Sequence, residues 1–399
     1  MTQLIAGRFI DLSILQSVPF ANLNRDDTNS IKTVQYGGVN RTRVSSQCWK
    51  RAIRLEVERE TGQSAMRTRR LAERLSRHLT DELGWPADLA TRAGIYTVVA
   101  SSVGAKAPKS KKDGEVAADD EVPWGTNAMV YVPDSAVAEL AAVAVEHRAG
   151  LEAAKDLKDL KTKDAEAVLP KDEIDAILRS RNGIINLTGR MLAELNGGGV
   201  DGAVQVAHVL TTHATDVEID YFSAVDDITA TWGDQTGSAH MGHNEYSAGT
   251  FYRYVTVDLA ELLENTGDEA AARELAAAFL AATVLSLPQA KKNSTAPHTV
   301  PDLIAVSVRS DRPLSYAAAF EKPVAAARDG FGYTAVSITA LDTYAGELAK
   351  LMGERRKPVH QAYAGIGAKD LENLGGRAES IDDLVGAAIA AAFAPRPRV

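Results

Sequence analysis

The chain has 399 residues, 45 % apolar and 24 % charged, with a formal net charge of −9. At about 150 residues per domain this is enough for two or three globular domains. The acidic balance excludes a protein that coats nucleic acid through overall positive charge, though not one with a single basic groove. One cysteine, Cys48, excludes an intrachain disulfide framework and points to the reducing cytoplasm.

The first segment, MTQLIAGRFIDLSILQSVPF, carries Arg8 and Asp11 among its apolar residues. It reads neither as a signal peptide nor as a membrane span. Ile10, Leu12 and Ile14 alternate with Asp11 and Ser13, which predicts a strand. Asn22, Asn24, Asp26, Asp27 and the pair Gly37-Gly38 predict a loop or hairpin. A helix follows from Ser45 or Ser46, with Trp49, Ala52, Ile53 and Val57 on one stripe and Gln47, Lys50, Arg51 and Arg54 on the other.

From about residue 60 to 180 helical, charge-rich segments dominate, such as Met66 to Leu83. Ser102 to Pro123 has few large apolar groups and predicts a mobile loop. Gly183 to Gly189 reads as a strand and Gly202 to His213 as a helix. The polar stretch between His213 and Phe251 is long for a connection and predicts a hairpin arm or functional loop. Phe251 to Val257 is a strand pattern, Glu269 to Leu285 an alanine-rich helix and Asp302 to Arg309 another strand. The order predicts an α+β fold of ferredoxin-like or RNA-recognition (RRM) type with a helical insertion. The tail PRPRV is expected to fray, and there is no internal repeat.

Arg25 to Arg77 holds thirteen Lys plus Arg and six Asp plus Glu, a local balance of +7. Lys50, Arg51 and Arg54 sit in the first turns of their helix, where the dipole disfavours cations. A phosphate resolves that conflict: helix N–H groups, Ser45, Ser46, Gln47 and the cationic stripe attract the same anion, with Lys32, Arg41 and Arg43 just upstream. The competing reading is a solvated face with Glu58 below the cations.

Other candidates are weaker. Cys48, beside Trp49, reads as a small filler rather than a nucleophile. His240, His243 and Glu245 in HMGHNEY lack the partners that complete a metal site; the alternative is a phosphate-handling, metal-dependent enzyme built around the same helix terminus, with His240 and His243 holding the metal. GGGVDG (Gly197 to Gly202) lacks the lysine of a P-loop and reads as a loop with a helix start. Tyr252 and Tyr254 share a strand face and either stack on bases or pack the sheet. Lys291 and Lys292 lie in a polar loop. No Ser/His/Asp set or carboxylate pair stands out, so the chain reads as a binder and not an enzyme.

The stretches LNRDDTNSIKTVQYGGVNRTRVSSQCWKRAIR, GRM at Gly189 to Met191, VDGAVQVAHVLTTH, IDYFSAVDD, GSAHMG, FYRY and AFEKPV, in this order, resemble the CasC family, the backbone subunit of the type I-E CRISPR Cascade complex. The helical insertion and the C-terminal part do not share the pattern. The resemblance implies a hand-shaped subunit: a modified RRM-like palm (1–60, 182–215 and 251–345, with a loop at 288–301), a helical fingers domain (61–181), a thumb hairpin (216–250) and a C-terminal segment (346–399). It implies binding of CRISPR RNA by its backbone, independently of sequence, with the bases presented to target DNA. Further copies of the chain and other Cascade subunits are the implied partners, in the cytoplasm, without cofactor, membrane contact or catalysis. By position it assigns Lys32, Ser45, Gln47, Lys50, Arg51 and Arg54 to the guide-binding loop and palm helix, with Arg25 in the same motif. It assigns Met191 to a wedge against a displaced base and Met241, after His240, to the thumb.

Overall fold

Both rows of the first strand are buried: Ile10, Leu12 and Ile14 on one face of β1 (Phe9–Ala21), Asp11, Ser13 and Leu15 on the other. The computed structural model describes residues 5–106, 124–157, 160–225, 238–328, 330–367 and 370–395. The predicted mobile loop, the tip of the predicted arm and the tail PRPRV lie wholly or partly outside the described residues. The hairpin of β2 (Thr33–Tyr36) and β3 (Val39–Val44) turns on Gly37 and Gly38, at φ 63° and 78°. Two positive φ angles in a row match the strand twist, and glycine adopts them without strain. Next comes α1 (Ser46–Thr61), with Trp49, Ile53 and Val57 buried as the periodicity predicts.

Gly62–Ala203 then forms a compact unit of its own. Its β4 (Ala65–Thr68) is succeeded by α2 (Leu71–Asp81), α3 (Ala87–Ala100), β5 (Ala105–Lys106), β6 (Gly125–Thr126), β7 (Val130–Pro133) and α4 (Ser135–Glu146). Four short helices complete it: α5 (Arg148–Glu152), α6 (Thr162–Glu166), α7 (Lys171–Arg179) and α8 (Gly183–Thr188). Leu75, Leu79, Tyr96, Val130, Leu140, Ile174 and Leu178 are among its core residues. The insertion was expected over 61–181; the unit runs on to Ala203 because Leu192 and Leu195 join its core. The strand predicted over Gly183 to Gly189 is the helix α8 instead. The Asn182 side chain caps it by accepting from the Ile185 amide at 3.3 Å. Ile184, Ile185 and Leu187 are all buried, and a segment buried all round shows no periodicity that separates helix from strand.

The remaining unit joins residues 1–61 to 204–399. Where a helix was predicted over Gly202 to His213 there are two strands, β8 (Val204–Val206) and β9 (Val209–Thr211), both paired to one long strand. After β10 (Glu218–Val225) comes that strand, β11 (Ser238–Asp258). Its first half pairs with β10 as the predicted two-stranded arm, and its second half pairs with β1. Asp258 and Asp268 cap α9 (Leu259–Thr266) and α10 (Glu269–Leu285), with Gly267 at φ 68° between them. The short α11 (Lys292–Thr295), β12 (Leu303–Arg309), α12 (Thr334–Met352), β13 (His360–Gly365), β14 (Gly376–Arg377) and α13 (Ile381–Ala392) complete the chain. The sheet order is β14-β13-β12-β1-β11-β9-β3-β2, antiparallel except for β13–β14. The C-terminal segment is thus part of this α+β unit and extends its sheet. No described helix is long and apolar enough to cross a membrane.

On one face Leu15, Tyr252, Leu303 and Tyr363 meet Phe320, Leu341 and Ala345, so α12 and the 3₁₀ turn Ala317–Phe320 cover it. On the other, α1, α10 and α13 pack together. Tyr252 and Tyr254 are therefore packing residues and not base-stacking ones. Tyr252 is within hydrogen-bond distance of the Ser13 hydroxyl at 3.0 Å and accepts from the Tyr316 amide at 2.9 Å, and burial pushes its phenol up to about 12. Tyr254 donates to the Asp11 carboxylate at 2.9 Å.

Buried His213 stacks on the Tyr333 ring, nearly parallel with centres 3.6 Å apart, and its Nε2 accepts from the Thr250 amide at 3.2 Å. Burial lowers its pKa, against a smaller raising effect of its bond to the Ala214 carbonyl. A histidine held neutral in the fold contributes stability that is complete above its unfolded pKa of about 6.5 and is lost as pH falls below it. The expected result is a melting temperature that drops from pH 7 to pH 5, with a flatter drop in His213→Gln.

Candidate nucleic-acid interface

The start of α1 is built from three directions. Ser45 is its cap: the Ser45 hydroxyl accepts from the Cys48 amide at 3.2 Å, and the Ser45 carbonyl from the Trp49 amide at 3.1 Å. The Asn24 side chain accepts from the Ser45 amide at 2.9 Å, and His208 Nδ1 from the Ser46 amide at 3.1 Å. First-turn donors offered to a phosphate in the sequence reading are thus largely bonded within the protein, and what α1 offers outward is mainly its side chains. Gln47 and Arg51 are exposed, while Lys50 and Arg54 are half-buried. Arg54 bonds Glu58 at 2.9 Å one turn on, as the solvated-face reading expected for that pair.

The helix is fastened to the sheet by a buried cation. The Arg253 guanidinium sits 4.1 Å from the centre of the Trp49 ring, donates to Gln16 at 2.7 Å and also bonds the Thr283 carbonyl of α10. Burial pushes its pKa down to about 9, which leaves it charged at neutral pH. The Trp49–Arg253 stack therefore fixes which stripe of α1 faces outward.

The loop from Asn22 to Lys32 closes beside this helix. The Lys32 amide donates to the Asn24 carbonyl at 3.1 Å, and the Arg43 amide to the Lys32 carbonyl at 2.9 Å. Asp26 accepts from the Thr28 hydroxyl at 2.8 Å and the Ser30 amide at 2.9 Å; the Thr28 bond is the largest cause of its lowered pKa. Glu245, at the base of the arm, accepts from the Ile31 amide at 2.8 Å and the Ser30 hydroxyl at 3.2 Å. Asp26 and Glu245 thus close the loop and Glu58 bonds Arg54, beside the cations Lys32, Arg43, Lys50 and Arg51. Arg25 is exposed and donates to Asn29 at 2.5 Å.

Arg41 leaves the cationic cluster to which the sequence reading assigned it. It is buried and donates to the carbonyls of Thr211 at 2.8 Å, Phe320 at 3.0 Å and Tyr36 at 3.3 Å. Lys291 enters instead: its ammonium bonds Asn244, lies 5.5 Å from the Tyr246 ring and is pushed down in pKa first by burial and then by Arg25. Lys292 is exposed next to it. Cys48 is partly buried beside Lys32 and Arg51, and burial raises its thiol pKa, which suits a filler and not a thiolate nucleophile.

Among the described residues the metal alternative finds no site, and the side chain of His240 lies outside them. Glu245 is engaged with the Asn22–Lys32 loop, and His243 faces Tyr221 across the arm at 6.1 Å between ring centres. Among the described residues no group of three or more His, Cys, Asp or Glu is placed to hold a metal. The described part of the arm presents Met241, 74 % exposed, on the same face as Ile219 and Tyr221.

Met191 belongs to the Gly62–Ala203 unit and is 91 % exposed. Its neighbour Arg190 is buried and gathers the carbonyls of Arg179 at 2.7 Å, Gly198 at 2.7 Å, Ser180 at 2.8 Å, Leu178 at 3.1 Å and Tyr131 at 3.2 Å. Backbone bonds of 2.8 Å in both directions join Arg190 and Val200. A Cβ on Gly202 would come within 2.9 Å of the Thr188 carbonyl, so Gly202 serves a close backbone approach.

The CT1975-like protein family matches residues 10–387. The chain belongs to that family. Two solved structures are similar to this CT1975-like chain. A chain of a "CRISPR RNA-guided surveillance complex, pre-nicking" is 44 % identical, with a TM-score of 0.86, over 96 % of this chain and 100 % of that one. A chain of a "CRISPR RNA-guided surveillance complex" is 38 % identical, with a TM-score of 0.75, over the same shares. No curated protein matches. Sequence reasoning missed His208, whose signal is only a histidine inside a segment misread as helix.

Proposed function

We propose that the chain is the backbone subunit of a type I-E CRISPR Cascade complex, of the CasC type, which grips CRISPR RNA by its sugar–phosphate chain and takes no part in catalysis. The observation that carries this is the grouping of Lys32, Arg43, Lys50 and Arg51 about the Asn22–Lys32 loop and the start of α1, in a chain similar over 96 % of its length to one from an RNA-guided surveillance complex. A protein that must hold any guide sequence contacts phosphate and sugar and leaves base edges to pair with DNA. The two-stranded arm with Met241 acts as the thumb, Met191 as the wedge at a displaced base, and the Gly62–Ala203 unit as the fingers. Further copies of the chain stack head to tail along the guide in the cytoplasm, with other Cascade subunits at the ends.

Purification from cells that transcribe the guide array and the companion subunits tests the reading. The expected result is bound short RNA of near-uniform length with unrelated internal sequences. Protein that assembles with its companions yet carries no RNA would overturn it.

A further inference from the structure

We propose that His208 is an additional backbone-binding residue of this interface, donating its Nε2–H to a sugar or phosphate oxygen of the guide; the inference rests on the RNA-binding reading above. Register places the residue. Val206 pairs with Val255, but Leu210 pairs with Tyr252, so the pairing with β11 slips by one residue between β8 and β9. Such a bulge re-aims a side chain, and here it turns exposed His208 towards the start of α1. Its Nδ1 lies 3.1 Å from the Ser46 amide nitrogen and 3.4 Å from an Arg43 guanidinium nitrogen.

Both neighbours are obligate donors, because an amide N–H and a guanidinium have no acceptor to offer. Nδ1 must therefore accept, and the proton of the neutral ring resides on Nε2. The ring takes up one first-turn donor of α1 and presents another at its far edge, beside Arg43. That edge can give a hydrogen bond and cannot receive one. It suits the acceptor-rich sugar–phosphate chain.

The test uses the full chain and a guide-length oligouridylate. In His208→Asn the side-chain oxygen replaces Nδ1 as acceptor for Ser46, but no donor remains at the Nε2 position; His208→Ala removes both. The expected result for His208→Asn is a parental melting temperature, about tenfold weaker RNA binding and an unchanged salt slope, since a neutral N–H releases no counterion. Parental affinity of His208→Asn beside a weakened Lys50→Ala would overturn the role of His208 alone; parental affinity of both would overturn the RNA-binding reading as well. Should His208→Asn fail to fold, ¹⁵N-histidine spectra of the unmutated chain decide. An Nε2–H tautomer whose Nε2 resonance moves on adding the RNA supports the inference. An Nδ1–H tautomer, or an unmoved resonance, refutes it.

Discussion

Lys50→Ala combined with Arg51→Ala is expected to weaken guide binding on the order of a hundredfold for every spacer alike. Each side chain supplies one charge-assisted contact worth about 1.5 kcal/mol, and two amount to about 3 kcal/mol, or roughly two decades of affinity. The salt dependence sharpens the test. On a single strand each neutralised phosphate contributes about −0.7 to the slope of log affinity against log salt, so the double variant should lose about 1.4 from that slope. Arg54→Ala should add less, because Arg54 already bonds Glu58 at 2.9 Å. Filter retention of guides with unrelated spacers between about 50 and 200 mM salt reads all of this. A loss confined to certain spacers would mean that the stripe reads bases, and an unchanged slope would mean that it does not touch phosphate.

The parts of this interface that were legible in the sequence are those governed by local spacing. The stripe of α1 follows from a period of 3.6, and Trp49, Ile53 and Val57 are buried as that period requires. Gly37-Gly38 signals its own turn. What was not legible depends on distant partners. Arg41 and Arg43 sit two apart in one strand and look alike in sequence. One is buried against carbonyls of residues 211, 320 and 321, and the other stays at the surface beside His208. The strands β8 and β9 read as a helix because a bulge interrupts their alternation, and α8 read as a strand because burial on all sides erases periodicity. Lys291 could not be placed from sequence because its partners, Asn244 and Tyr246, belong to the base of the arm.

Arg190→Met should have the largest effect on stability. The guanidinium sits against the last carbonyls of α7, those of Leu178 and Arg179, and that of Ser180 beyond, where the helix dipole favours a cation. It also holds Tyr131 and Gly198, and among the described residues no carboxylate acts on its charge. Burial and, less, Arg181 lower its pKa, so the carbonyl dipoles alone keep the charge in place. Methionine restores the volume but leaves buried acceptors unmatched, a loss of about 3–5 kcal/mol by comparison with broken buried ion pairs. For a unit of this size that lowers its melting transition by about 10–17 °C. Met191→Ala is the contrast: a side chain 91 % exposed contributes little packing, so stability should change by less than about 0.5 kcal/mol. Calorimetry with limited proteolysis around Leu192 to Gly202 separates the two. If Arg190→Met melts and resists protease like the parent, the carbonyl cluster does not anchor the Met191 segment, and that exposed methionine is held out by the Gly189–Gly202 backbone approach alone.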